Sequence, residues 1–269
     1  MPAPTDPERI LLVGDTHANT ACALAVIDHA AAVGADVIVQ VGDFGFWPRA
    51  KKGRKFLRKV EWRLAQAGIE LWFVDGNHED HDALGRRPIE PDGRRRIDEH
   101  LPRGFRWTWD GTTWLAAGGG ASVDRTYRMP GVSWFPQETL TDVQVAAMID
   151  AGPAEVVVAH DCPMGTAFLH ARYDQGTPAR DRVTMWPAEQ LVESDQHQAR
   201  LRWLVDGMRA RTVIHGHHHV RFSDTLDADH GPVSVEGLGL DGGPLSQLVL
   251  LVGPDGKPVE SANPAVPRT

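Results

Sequence analysis

The chain has 269 residues, 42% of them hydrophobic, with a formal net charge of −8 and a pI near 5.9. That length fills a sizeable core, yet no run approaches the roughly 18 consecutive apolar residues that span a bilayer, so no membrane partner is expected. The acidic balance disfavours a broad basic surface for nucleic acid, and two cysteines far apart in sequence, Cys22 and Cys162, give neither a disulfide framework nor a thiolate zinc site.

The first ten residues, MPAPTDPERI, place no basic segment ahead of an apolar run, so a cytoplasmic location is expected. Residues 9–13, RILLV, form a short apolar run that stops at Gly14-Asp15, and the alanine-rich segment 20–34 carries a helical apolar period ending at Gly34. This strand, turn and helix unit recurs. Residues 35–41 end at Gly42-Asp43, a helix runs from about Lys51 to Gly68, and residues 69–74 end at Asp75-Gly76-Asn77-His78. Such alternation predicts a largely parallel sheet flanked by helices, with ligands gathered beyond the carboxyl ends of the strands.

Residues 105–119, FRWTWDGTTWLAAGG, break the pattern. Asp110-Gly111 between aromatic and β-branched residues predicts a hairpin and brings antiparallel character. Thr141 and Gln144 open a helix over 141–150 with a capping box, and residues 154–160, AEVVVAH, are a further strand ending on His160. Residues 166–186 read as a long loop near the site, and a helix from about Ala188 to Arg209 leads to RTVIHGHHH. Residues 221–226, 232–240 and 246–252 read as short strands, and 258–269 as a frayed tail. There is no internal repeat or interdomain linker, so residues 1–269 are read as one domain.

The segment VIHGHHHV, 213–220, sets four histidines within five positions, which points to metal binding or proton handling. If the segment is extended, His217 and His219 share one side and His218 takes the other. The strand ends together carry Asp15-Thr16-His17, Gly42-Asp43, Gly76-Asn77-His78-Glu79, His160 and Gly216-His217-His218-His219. These are oxygen and imidazole donors, enough for two metal ions.

In that order the blocks resemble those of the calcineurin-like metallophosphoesterase superfamily: D-x-H, GD, GNH followed by an acidic residue, H, and GH-x-H. The resemblance runs from Asp15 to His219. It implies an α/β fold, a four-layer α/β/β/α sandwich of mixed sheets flanked by helices. It further implies that Asp15, His17, Asp43 and His219 hold one divalent ion, that Asn77, His160 and His217 hold a second, and that Asp43 bridges both. Mn²⁺ is the first expectation, with Fe, Zn, Co or Ni also suited to mixed nitrogen and oxygen ligands. Two such ions about 3.5–4 Å apart acidify a shared water and clamp the entering and leaving oxygens at phosphorus, so the implied reaction is direct hydrolysis of a phosphoester without a covalent enzyme intermediate. Besides the bridging Asp43, the resemblance offers His78 as the catalytic group that protonates the leaving alkoxide or steadies its charge, with Asp75 or Glu79 available to orient its ring. His215 shares the parity of His217 and His219 and is expected to stand behind the ligands or to face substrate.

The arginine-bearing GDxVDRG of protein phosphatases is absent, and GDFGFWPRA stands in its place. Phe44, Phe46 and Trp47 are expected either to pack in the core or to wall the pocket, where stacking on a nucleobase is worth about 1–3 kcal/mol. The segment 118–138 resembles one in bacterial and bacteriophage members, and its Arg125 and Arg128 are candidates to grip phosphate oxygens. Of two basic clusters, 49–59 reads as the solvated side of a helix whose Phe56, Val60 and Leu64 face inward, and 85–96 as a loop near the cleft. Expected, then, is a phosphodiester substrate: a nucleotide, cyclic nucleotide, RNA end or short oligonucleotide. The alternatives are a phosphomonoesterase or protein phosphatase, and a noncatalytic binding module on the same fold.

Overall fold

The computed structural model describes residues 6–87, 100–182 and 184–259. Strands β1 (Ile10–Val13), β2 (Val37–Gln40) and β3 (Glu70–Phe73) run parallel, and β10 (Val249–Val252) adds an antiparallel edge, in the order β10-β1-β2-β3. A second sheet joins β4 (Arg106–Trp109), β5 (Thr112–Ala117), β6 (Val156–Ala159), β7 (Thr212–His215), β8 (Phe222–Ala228) and β9 (Gly231–Gly237) in the order β4-β5-β6-β7-β9-β8. Its centre is parallel, and the edge strands β4 and β8 are antiparallel to their neighbours.

Alternation along the strands divides the core into three. Ile10 and Leu12 meet Val156, Val158 and Ile214 of the other sheet, together with the clustered indoles of Trp72, Trp107, Trp109 and Trp114. Leu11 and Val13 face the other way, toward α1 (Thr20–Ala32) and α2 (Lys51–Ala67). On the far side of the second sheet, Val157 and Val213 pack beneath α4 (Asp142–Asp150) and α6 (Ala188–Met208). Three buried interfaces between successive layers make four layers, helix, sheet, sheet and helix, as the resemblance implied.

Local expectations hold where side-chain chemistry is short-range. Asp110 and Gly111 adopt φ of 43° and 75°, the pair of left-handed residues that a two-residue hairpin needs. Thr141 and Gln144 form both bonds of the capping box of α4. In α2, Phe56 and Val60 are buried, Leu64 is half-buried, and the six basic residues between Lys51 and Lys59 are exposed.

Three readings need correction, and one helix has no counterpart in the sequence reading. Residues 166–186 are not one loop: Thr166 caps a helix, α5 (Ala167–Tyr173), because Phe168 stacks 3.9 Å from Phe222 and Leu169 is buried in the core. A second short helix, α3 (His81–Gly85), follows the GNHE block with Asp80 as its cap. Residues 245–248 form a helical turn, α7 (Leu245–Leu248), ahead of β10. Pro258 bridges to Val252 and Val259 donates to Leu251 O, so the last ordered pairing reaches two residues into the expected tail. The basic stretch 88–96 and residues 260–269 lie outside the described residues. No helix among the described residues is long and apolar enough to cross a membrane. Both cysteines are free thiols.

Candidate metal centre

The carboxyl ends of five parallel strands from two sheets converge. Asp15 follows β1, Asp43 follows β2, Asn77 and His78 follow β3, His160 follows β6, and His217 and His219 follow β7. Asp15, His17, Asp43 and His219 each present an atom lying within 4.8 Å of all the others. Asp43 Oδ2 lies 3.4 Å from both His17 Nε2 and His160 Nε2 and 4.0 Å from His78 Nε2. His160 Nε2 is 3.1 Å from Asn77 Oδ1, and the rings of His160 and His217 stand 4.9 Å apart. Five of the eight non-glycine residues with positive φ among the described residues belong here: His17, Ala18, Asp43, His217 and His219. Such strain persists where surrounding structure over-determines it, and it concentrates at functional sites.

Hydrogen bonds outside the cluster aim its donors. His17 Nδ1 donates to Asp241 Oδ1 at 3.0 Å, which leaves Nε2 turned toward Asp43. His160 Nδ1 donates to the Val41 carbonyl at 2.9 Å, with the same result for its Nε2. Asn77 Nδ2 donates to Ser122 Oγ at 3.0 Å, so Oδ1 faces inward. Asp15 accepts from His217 N at 3.1 Å and lies 3.1 Å from His219 Nε2. Close approach explains Gly216, where a Cβ would stand 2.1 Å from Asp15 Oδ1.

The electrostatics suit a cation. Asp15 and Asp43 are buried, and Asp43 Oδ2 has no hydrogen-bond partner. Burial opposes the imidazolium of His160, yet the Asp43 carboxylate facing it raises its pKa to about 10; His17, facing the same carboxylate, is raised to about 9. Burial likewise opposes the Asp43 carboxylate, and the histidines beside it hold it well below the usual range. A buried carboxylate oxygen with no donor, facing imidazole nitrogens whose other nitrogens are already engaged, fits a divalent cation and makes this a candidate metal site. His219 and His78, with side chains 42% and 36% exposed, mark the open side.

Of the other expected site residues, some reach the cluster and some do not. The segment 216–219 is a turn, with φ of 64° at His217 and 61° at His219, so strand parity does not place its side chains. His218 still points away, to Asp161 and Tyr173. His215 does not face substrate: it is fully buried against Phe222 and His218. Arg125 is engaged by Glu193 at 2.6 Å and lies over Trp134. Arg128 reaches the site, with NH2 2.5 Å from His78 Nε2 and NH1 3.0 Å from Nδ1, and Nε paired with Asp124 at 2.7 Å. Neither carboxylate expected to orient His78 does so. Asp75 binds Arg103 and His100, and Glu79 accepts from the backbone of Gly45 and Gly76. Phe44 and Phe46 belong to the core beside Phe73 and do not wall the pocket, while Trp47 is half-buried against Phe135.

Sequence reading missed Asp241, Ser122 and Glu138. Asp241 stands shortly past the end of β9, and the strand-end rule that found Asp43 would have found it; Ser122 lies in a loop and Glu138 ends a single 3₁₀ turn, Pro136–Glu138, with no periodicity to mark either.

Among curated proteins, none matches the sequence. Two solved structures share the fold: TT1561 of Thermus thermophilus, 13% identical, with a TM-score of 0.52 over 92% of this chain and 99% of that one, and a dimetal phosphatase from Danio rerio, 12% identical, with a TM-score of 0.55 over 92% and 93%. The model of the calcineurin-like phosphoesterases matches residues 8–221, the span from Asp15 to His219 included. The chain belongs to the calcineurin-like phosphoesterase family.

Proposed function

We propose that this protein is a dinuclear, divalent-metal-dependent phosphoesterase that hydrolyses a phosphodiester of nucleotide, cyclic-nucleotide or RNA-end type. The observation that carries the reading is Asp43 Oδ2, buried, without a donor and equidistant at 3.4 Å from His17 Nε2 and His160 Nε2. That position suits a carboxylate shared between two ions. Asp15, His17, Asp43 and His219 would hold the first, and Asn77, His160 and His217, with Asp43, the second. When bound, such ions lower the pKa of a water toward 7 and draw charge from phosphoryl oxygens, and Mn²⁺ is the ion to supply first.

The protein's own residues do the rest. His78 stands on the open side, 4.0 Å from Asp43 Oδ2, and would protonate the leaving alkoxide or steady its charge once substrate draws the Arg128 guanidinium off its ring nitrogens. Arg128 lies against His78 and would contact a phosphoryl oxygen, the part played by the arginine of the GDxVDRG pattern that this chain does not carry. Because Asp124 already balances that guanidinium, the pocket offers a modest net positive field. A monoanionic diester fits it better than a dianionic monoester.

Hydrolysis of bis-p-nitrophenyl phosphate against p-nitrophenyl phosphate, with added Mn²⁺, tests the proposal. Diester preference supports it. Monoester preference replaces the substrate class with a phosphomonoester, and no turnover of either under any divalent ion overturns the enzymatic reading.

A further inference from the structure

The loop between β5 and α4 passes directly over the donors proposed for the second ion. At Gly120 a Cβ would stand 3.0 Å from His160 Cδ2 and 3.3 Å from the His217 ring, so the backbone lies flat on both imidazoles. Two residues on, Ser122 is buried, and its Oγ takes the Asn77 Nδ2 hydrogen at 3.0 Å. Glu138, 1% exposed, closes the loop: its Oε2 lies 2.8 Å from Ser122 Oγ and its Oε1 accepts from Ser122 N at 2.8 Å. The main chain of Glu138 is itself fixed, since its carbonyl accepts from Gly120 N and from Arg103 NH2.

Donors and acceptors in this chain run one way. An amide nitrogen only donates, so Ser122 Oγ must accept from Asn77, and the hydroxyl hydrogen is left for the Glu138 carboxylate. With Asn77 Nδ2 committed to Ser122, Oδ1 is turned 3.1 Å from His160 Nε2, among the other donors. Turned the other way, the amide would offer an NH2 group, which has no lone pair for a cation.

Resting on the dinuclear reading above, we infer that Ser122 and Glu138 are positioning residues that set the orientation of the Asn77 amide, so that its carbonyl oxygen faces the second ion. They touch neither ion nor substrate. Their effect is on the affinity of one ion of the pair.

The test is Mn²⁺ titration of metal-stripped protein, followed by calorimetry, with elemental analysis of stoichiometry. Replacing Ser122→Ala weakens the second ion by about 10- to 100-fold and leaves the first unchanged, the range found when partners behind metal ligands are removed. Glu138→Ala follows the same pattern. The Asn77→Asp background separates positioning from general structural damage, because both oxygens of a carboxylate can ligate and no orientation need be chosen. There Ser122→Ala costs less than about threefold, so the two substitutions are strongly non-additive. Equal losses in both backgrounds, or full retention of both ions in Ser122→Ala, overturns the inference. A parent that binds fewer than two Mn²⁺ overturns the dinuclear reading and the inference together. A parent that binds two ions without hydrolysing a phosphoester sinks the proposed activity alone, and ion affinity still decides the role of Ser122.

Discussion

Asp161 and His218 are joined by a 2.9 Å hydrogen bond from His218 Nε2 to Asp161 Oδ1, and the bond faces away from the metal centre. Both residues sit beside proposed ligands, Asp161 after His160 and His218 between His217 and His219. The Asp161 carboxylate also accepts from His197 Nδ1 at 3.0 Å and from Cys162 N at 2.7 Å. The bond therefore ties the turn after β7 to the end of β6, and with it the two halves of the donor set.

Replacing Asp161→Ala leaves two buried imidazole N–H groups without an acceptor. Each buried donor left unsatisfied costs about 1–3 kcal/mol, and a loss of about 2–5 kcal/mol is expected in urea unfolding of the metal-free protein. Because metal-free protein is measured, a change in ion affinity does not enter the result. A loss below about 1 kcal/mol, the net worth of an ordinary hydrogen bond, contradicts the clamp.

Replacing Asp43→Asn removes the charge shared by both proposed sites and is expected to abolish turnover and lower bound metal. His78→Ala is expected to keep both ions while slowing turnover by about 10²- to 10⁴-fold, the range for loss of a proton-transferring side chain. Elemental analysis of both variants beside the parent separates the roles. Normal metal content in Asp43→Asn rules out its bridging position.

The site was legible in sequence because each proposed ligand stands behind a strand whose apolar run stops abruptly, so a one-dimensional pattern marks a three-dimensional edge. Asp15, Asp43, Asn77 and His160 were found that way. His217 and His219 were named together for a reason that the structure replaces: left-handed backbone at both, rather than strand alternation, turns them toward the cluster. The same parity misplaced His215, which is still inside β7 and buried. Contacts across long sequence separations left no local mark. Asp241 aims His17 from 224 positions away, and Glu138 reaches Ser122 across a loop. Likewise Phe168 and Leu169 were too few to show a helical period, although packing against Phe222 makes that segment α5.

His81 gives the fold a testable acid response. Burial depresses its pKa to about 4, and the Arg103 charge opposes protonation further, against a partial offset from Asp75. An unfolded chain binds a proton at this position below about pH 6.5, whereas the folded chain resists it until about pH 4. The neutral ring therefore contributes stability that is fully present above pH 6.5 and is lost as pH falls toward 4, at up to about 1.4 kcal/mol per pH unit. His81→Phe removes the titration, and its stability measured by urea unfolding should fall less steeply than the parent's over that window. Parallel curves refute the assignment.

Asp124 sets the charge of the pocket through Arg128. The carboxylate pairs with Nε at 2.7 Å while the two terminal nitrogens lie against His78, so the guanidinium reaches the site already half-compensated. Asp124→Asn keeps a hydrogen-bond acceptor beside Nε but removes the negative charge, and the uncompensated cation then favours whichever substrate carries more charge. A roughly 3- to 10-fold shift of relative kcat/KM from bis-p-nitrophenyl phosphate toward p-nitrophenyl phosphate is expected, on the order of 1 kcal/mol for one extra charge screened near a protein surface. The shift should shrink as salt is raised, because it comes from an open-sided charge. If the diester-to-monoester ratio in Asp124→Asn matches the parent's at low salt, the field around Arg128 does not select the substrate.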